Sequence, residues 1–264
     1  MCLLVALFHT REDAPLVVAA NRDEQIARPA ESMAVLRESG PRVLGGRDLL
    51  AGGTWLAVSE YGVIAALTNV PSASGRDPAK RSRGELPLWL AGHRNAREAA
   101  AAFERAIDPT EYNPCWLLVG DRESLFYFDL NGGPLVAQAL PPGIHVLENR
   151  PLRPVSIKAR FVRGLVEDAL PPPVEPRESL IAPLFGVLRR HDIPDAAQMA
   201  EARTLEPWRP DATFAPCVHG NGYGTRTGAV VIIPSSPAVR PDFHYTDGPP
   251  CTAPLEDATP RWAR

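Results

Sequence analysis

The chain has 264 residues, 45% of them hydrophobic, which is ample for a sizeable core. Its 28 basic and 31 acidic residues leave a net charge of -3, and no block of like charge is present, so a phosphate backbone is not an expected partner. The apolar runs have the length of single strands or short helices, far below the roughly 20 residues that cross a bilayer.

The first elements read as a hairpin of buried strands, CLLVALF and PLVVAAN, joined by the polar loop HTREDA. MCLLVALFHTRED lacks the positive start and the cleavage site of a targeting segment and reads as mature protein. A second hairpin is expected in GGTWLAVSEYGVIAALTN, with Gly62 supplying the positive φ of its turn. RGELPLWLAG and AREAAAAFERAI read as helices, the second capped by Asn95 with Glu98 three residues on. CWLLVGD, SLFYFDL, PLVAQAL and GIHVLEN, separated by turn residues, predict one continuous antiparallel meander. VSIKARFVRGLVEDAL and SLIAPLFGVLRR follow as helices joined by PPPVEP, and TGAVVIIP as a closing strand. Residues 1–233 are thus expected to form one α+β domain with largely antiparallel sheets. Residues 234–264, rich in Pro, Gly, Asp and Thr, are expected to form a tail over the surface or partly disordered.

Four cysteines, at positions 2, 115, 217 and 251, show no CxxC spacing and are too few for a disulfide framework, which fits a reducing cytoplasm. No metal-site spacing appears either. Richness in Ala, Arg and Pro suits a GC-rich bacterial genome. Cys2 is the residue with the clearest chemistry. Removal of the initiator Met would leave a thiol and a free α-amine on one residue, with ordinary pKa values of about 8.5 and 7.7–8.0, close enough for the amine to take the thiol proton.

MCLLVALF, AANRDEQIARP, GGTWLAVSEYGVIAALTN, SRGEL and GYGTRT occur in this order, and by them the chain resembles the NRDE family, also called the transport-and-Golgi-organisation 2 family. The resemblance covers residues 1–150 and 217–233 and is weak or absent across 160–215 and the tail. That family in turn resembles the N-terminal-nucleophile hydrolases, in particular the cysteine branch of bile-salt hydrolases and penicillin V acylases, which implies a four-layer αββα sandwich. The resemblance further implies Cys2 as nucleophile, with Arg22 and Asp23 beside it, Asn69 and Asn149 as oxyanion donors and Arg226 as a late arginine. Arg22 would lower the pKa of the sulfur, and Asp23 would hold the α-amine or Arg22. The cysteine acylases space their Arg and Asp three apart, whereas Arg22 and Asp23 are adjacent and cannot point the same way from a regular strand, so Asn21 or Glu24 is an alternative for one role.

Asn21, Trp55 and Tyr223 are candidate substrate contacts; Trp55 in GGTWLAVS reads equally well as a pocket wall or a core side chain. The implied function is hydrolysis of a linear amide or other acyl bond of a small molecule, with no cofactor. The rival is a carrier of haem or a lipid-like ligand on the same fold, touched by Cys2 or by His219 beside Cys217.

Overall fold

The computed structural model describes residues 2–72 and 75–263. In chain order its strands and helices begin with β1 (Leu3–Phe8), β2 (Leu16–Gln25), β3 (Ala30–Arg37), β4 (Val43–Asp48), β5 (Leu56–Ser59) and β6 (Ile64–Asn69). Helices α1 (Glu85–Leu90) and α2 (Ala96–Ala106) come next, then β7 (Cys115–Gly120), β8 (Leu125–Leu130), β9 (Gln138–Ala139) and β10 (Gly143–Leu147). Helices α3 (Ile157–Ala169), α4 (Ile181–Leu188) and α5 (Ala196–Leu205) precede β11 (Tyr223–Ile233), β12 (Asp242–Thr246) and β13 (Leu255–Asp257).

Two antiparallel sheets result, one ordered β10-β1-β2-β11-β12-β13 and the other β3-β4-β5-β6-β7-β8-β9. Strand alternation assigns the layers. Leu4, Ala6, Val18 and Ala20 of the first sheet meet Val58, Ile64, Ala66 and Leu118 of the second in a core between the sheets. The opposite faces bury Leu3, Val5, Val17 and Ala19 against α3 and α4, and Val63, Ala65 and Leu117 against α1 and α2. The architecture is therefore a four-layer αββα sandwich. Both hairpins form as read, and Gly62 turns the second at φ 86°. The Asn95 side chain accepts from the Glu98 amide at 2.8 Å, capping α2.

Two expectations are corrected. GIHVLEN does not extend the meander: β10 pairs with β1 at the edge of the other sheet, because Val146 and Leu147 bury on opposite faces, one under the helices and one between the sheets. Residues 234–263, the described part of the expected tail, are not a surface tail. β12 pairs with β11, β13 pairs with β12, and Phe243, Tyr245 and Trp262 enter the inter-sheet core. Aromatic residues spaced among prolines carry no legible period, yet one edge strand needs only a few of them to dock.

Candidate active site

The β1–β2 register pairs Leu3 with Asn21, and one step further places Cys2 across from Arg22. Both side chains point to the inter-sheet face at the open end of the sandwich. There a cavity of about 270 Å³ is lined by Cys2, Arg22, Asp23, Trp55 and Asn69, together with Glu24, Arg28, Asp48 and Arg83. The NRDE corner is thus a strand end turned into a charged wall. Cys2 is 7% exposed, but the space beside it is polar.

Arg22 is buried, and its guanidinium stacks on Trp55 at 4.4 Å. Glu24 and Asp48 lie 3.9 and 3.8 Å away, beyond hydrogen-bond length, and neither terminal nitrogen of Arg22 has a hydrogen-bond acceptor among the described residues. Asp48 is engaged by Arg28 at 2.8 Å. Trp55 lies flat against this wall because Gly46 has no side chain: a Cβ there would fall 2.0 Å from the indole. GGTW and SRGEL also meet. Thr54 donates its amide to the Gly84 carbonyl at 2.9 Å, and a Cβ on Gly53 would lie 2.3 Å from the Gly84 carbonyl carbon. Gly53→Ala, strained further by φ 77°, is expected to destabilise the fold by roughly 3 kcal/mol and to open the cavity wall, measurable by urea unfolding.

Asp23 points the other way, toward the helical layer, as adjacent strand positions must. Thr225 donates its hydroxyl to the carboxylate at 2.5 Å, and Tyr223 donates to the Asp23 main-chain carbonyl at 2.9 Å. Burial pushes the Asp23 carboxyl above its ordinary value, opposed by the charges of Lys158 and Arg209. These two cations belong to a buried network that no motif announced. Lys158 is fully buried and donates to the Thr213 carbonyl at 2.8 Å. Arg209 grips Glu148 with two bonds of 2.7 and 3.1 Å, and Glu206 at 3.1 Å. α3 reads as an amphipathic helix, and nothing in its spacing separates Lys158 from a solvated lysine.

The other candidates lie away from the cavity lining. Asn21 donates to the Leu188 and Pro216 carbonyls at 2.8 and 2.9 Å, tying β2 to the helical layer. Asn149 is buried and donates to the Asn69 main-chain carbonyl, behind the cavity. Arg226 occupies a bulge in β11, since Thr225 pairs with Asp23 and Thr227 with Arg22, and it donates to the Gln25 and Ile26 carbonyls. Removal of Met1, on which a free α-amine depends, concerns a residue outside those described.

The Cys2 thiol departs from expectation in sign. Burial drives its pKa above the ordinary 9.0, with the Asp23 carboxylate adding to the rise; the positive charge of the N-terminus is the largest opposing pull, and those of the Asp23 backbone amide and of Arg22 are smaller. For the chain that keeps Met1, alkylation of Cys2 by iodoacetamide is accordingly expected to keep accelerating past pH 9.0, whereas an exposed thiol levels off near that value. Rates read by mass spectrometry across pH check this.

A sandwich of two antiparallel sheets between helical layers is the N-terminal-nucleophile hydrolase fold. A conjugated bile acid hydrolase from Clostridium perfringens, solved as a C2A mutant, has this fold: the structures agree with a TM-score of 0.53 at 11% identity, over 98% of this chain and 93% of that one. The chain belongs to the Transport and Golgi organisation 2 family, whose pattern it matches over residues 1–240. It is 32% identical to the Transport and Golgi organization protein 2 homolog of Bos taurus and 29% identical to that of Homo sapiens, each over 88% of both chains. Among the described residues, no helix is long and apolar enough to cross a membrane.

Proposed function

We propose that the protein is an N-terminal-cysteine hydrolase acting on an amide or other acyl bond of a small anionic compound. The observation that carries the reading is the junction of Cys2, Arg22 and Asn69 on one polar cavity at the end of β1. With Met1 removed, the α-amine takes the Cys2 proton and the thiolate attacks the acyl carbon. An S–C bond forms while the bond to the leaving group breaks, and that group departs with the proton held by the α-ammonium. Water then attacks the thioester, returns a proton to the thiol and releases the acid.

The Asn69 amide is suited to donate to the tetrahedral oxyanion, and loss of one such donor typically costs about 3 to 4 kcal/mol of barrier stabilisation. Asn149 acts one step back, fixing the Asn69 backbone. Asp23 orients the amine, and Arg226 holds the strand end beyond it. The substrate class follows from the wall. Arg22, Arg28, Arg76 and Arg83 outnumber Asp23, Glu24 and Asp48 by one, and the unbonded guanidinium nitrogens of Arg22 offer donors to a carboxylate or phosphate. A charged cavity of about 270 Å³ suits such a compound better than haem or a long acyl chain, the occupants of the carrier reading. Four free cysteines accord with a reducing, cytoplasmic setting.

The test is to establish Met1 removal by intact mass, then incubate the mature protein with acyl amides and thioesters that carry an anionic group. A mass increase equal to the acyl group, mapped to Cys2, is the expected result. No adduct and no turnover from a protein with a free N-terminal cysteine would reject the proposal.

A further inference from the structure

The sequence offers no metal motif, because the spacing from 191 to 217 to 251 fits no short signature. The fold nevertheless brings His191, Cys217, His219 and Cys251 together, with one ligand atom from each lying within 4.8 Å of all the others. His191 follows α4, Cys217 and His219 lead into β11, and Cys251 lies in the turn after β12. The cluster is separate from the Cys2 cavity, on the helical side of β2. The His219 Nε2 is 3.8 Å from the Cys217 sulfur and 3.1 Å from the Cys251 sulfur. A tetrahedral centre with metal–sulfur bonds of about 2.3 Å and metal–nitrogen bonds of about 2.0–2.1 Å sets its ligand atoms roughly 3.3–3.8 Å apart. Shifts of an ångström or less in side-chain position reach that geometry.

The surroundings prepare these groups for ligation. His191 donates its Nδ1–H to the Cys217 carbonyl at 3.1 Å, which fixes the tautomer and leaves Nε2 with the free lone pair, the outer-shell arrangement common to metal-bound histidines. The Cys217 amide donates to the Arg190 carbonyl at 2.9 Å, Arg189 donates to the Cys251 carbonyl at 3.1 Å, and His219 bridges to Gly224. All three loops are thus anchored before any ion arrives, so little ordering is left for binding to offset. Both imidazoles are exposed and Cys217 is buried, which gives an entry path on one side and a dry wall on the other.

We infer that His191, Cys217, His219 and Cys251 form a structural site for zinc. Two thiolates and two imidazoles in a tetrahedral set select zinc over the hard cations magnesium and calcium, and four protein ligands leave no open position for catalysis. On binding, the two thiols release their protons and form zinc–sulfur bonds, with no change of oxidation state. The ion clips residues 249–251 to the end of α4 and to the start of β11. Those two segments carry the Leu188 and Pro216 carbonyls that hold Asn21, one residue from Arg22. The site does not depend on the hydrolase reading.

Untagged, reduced and chelator-stripped protein titrated with Co²⁺ provides the test. Tetrahedral d–d bands and a thiolate-to-cobalt charge-transfer band are expected to saturate at about one equivalent, and Zn²⁺ to abolish them while raising the thermal midpoint. Cys251→Ser and His219→Gln, confirmed as folded by circular dichroism, are expected to weaken Co²⁺ binding by more than about tenfold, while Cys115→Ser leaves it unchanged. If Cys251→Ser does not fold, the exposed His191→Gln takes its place. No saturable thiolate band in the wild type, unchanged binding in the folded ligand variants, or metal-free protein from zinc-supplemented cultures with Cys217 and Cys251 joined as a disulfide would each overturn the inference.

Discussion

Replacing Cys2 by alanine is expected to remove acyl-adduct formation altogether and to lower hydrolysis by at least about a thousandfold, because a nucleophile acts as a unit with its base and oxyanion donors. No other described thiol can substitute. Cys115 is fully buried and its pKa is pushed up to about 12, while Cys217 and Cys251 lie on the helical side of β2, outside the cavity lining. The substitution itself should cost little stability, since it removes one sulfur at a strand end that already borders a cavity. Steady-state hydrolysis and intact mass, measured on folded wild type and Cys2→Ala with Met1 removed from both, separate the two. Equal turnover by both proteins would move the chemistry away from the strand end.

Arg209→Met is expected to lower stability by about 3–5 kcal/mol and the thermal midpoint by roughly 10 °C. The Arg209 side chain has no exposure and neutralises two buried carboxylates, those of Glu148 and Glu206. Removing it leaves Glu148 to the Ser156 hydroxyl at 2.6 Å and Glu206 to the more exposed Arg150 at 3.1 Å. Glu148→Gln should cost less, because Arg209 then keeps Glu206. Circular dichroism melts of the three proteins rank these effects.

The same pair predicts a pH dependence. Burial alone would raise the Glu148 carboxyl, but the charge and the two bonds of Arg209 outweigh it and hold the group below its ordinary 4.5. A depressed carboxylate pKa contributes stability that is present above the unfolded value and lost as pH falls through the folded one. Wild type should therefore weaken steeply as the medium is acidified below about pH 4.5, and Arg209→Met should show a shallower slope. Asp23 has the opposite sign: its raised pKa makes the charged form a cost of folding.

What the sequence determined by itself was local. Alternation in CLLVALF and PLVVAAN fixes two buried strands, and the abrupt polar corner Asn21-Arg22-Asp23-Glu24 marks where burial stops serving packing. The adjacency of Arg22 and Asp23 already required them to face opposite ways, and they do, one onto the cavity and one onto the helical layer. Gly62 was legible as the turn of the second hairpin, whereas the need for glycine at Gly53, where the Gly84 backbone presses against it, was not. Tertiary structure alone decided everything that depends on distant segments meeting. Strands β3 and β4, β10 on the edge of the first sheet, the docking of β12 and β13, and Lys158 and Arg209 behind Asp23 have ordinary local signals. For the buried charges the deciding partners are distant in sequence: Lys158 meets Thr213 across 55 residues, Arg209 meets Glu148 across 61, and Asp23 meets Thr225 across 202. The cause is physical. Side-chain periodicity records which face of an element is dry, whereas the charge state of a buried group and the meeting of four ligand atoms are set by which elements share that dry face.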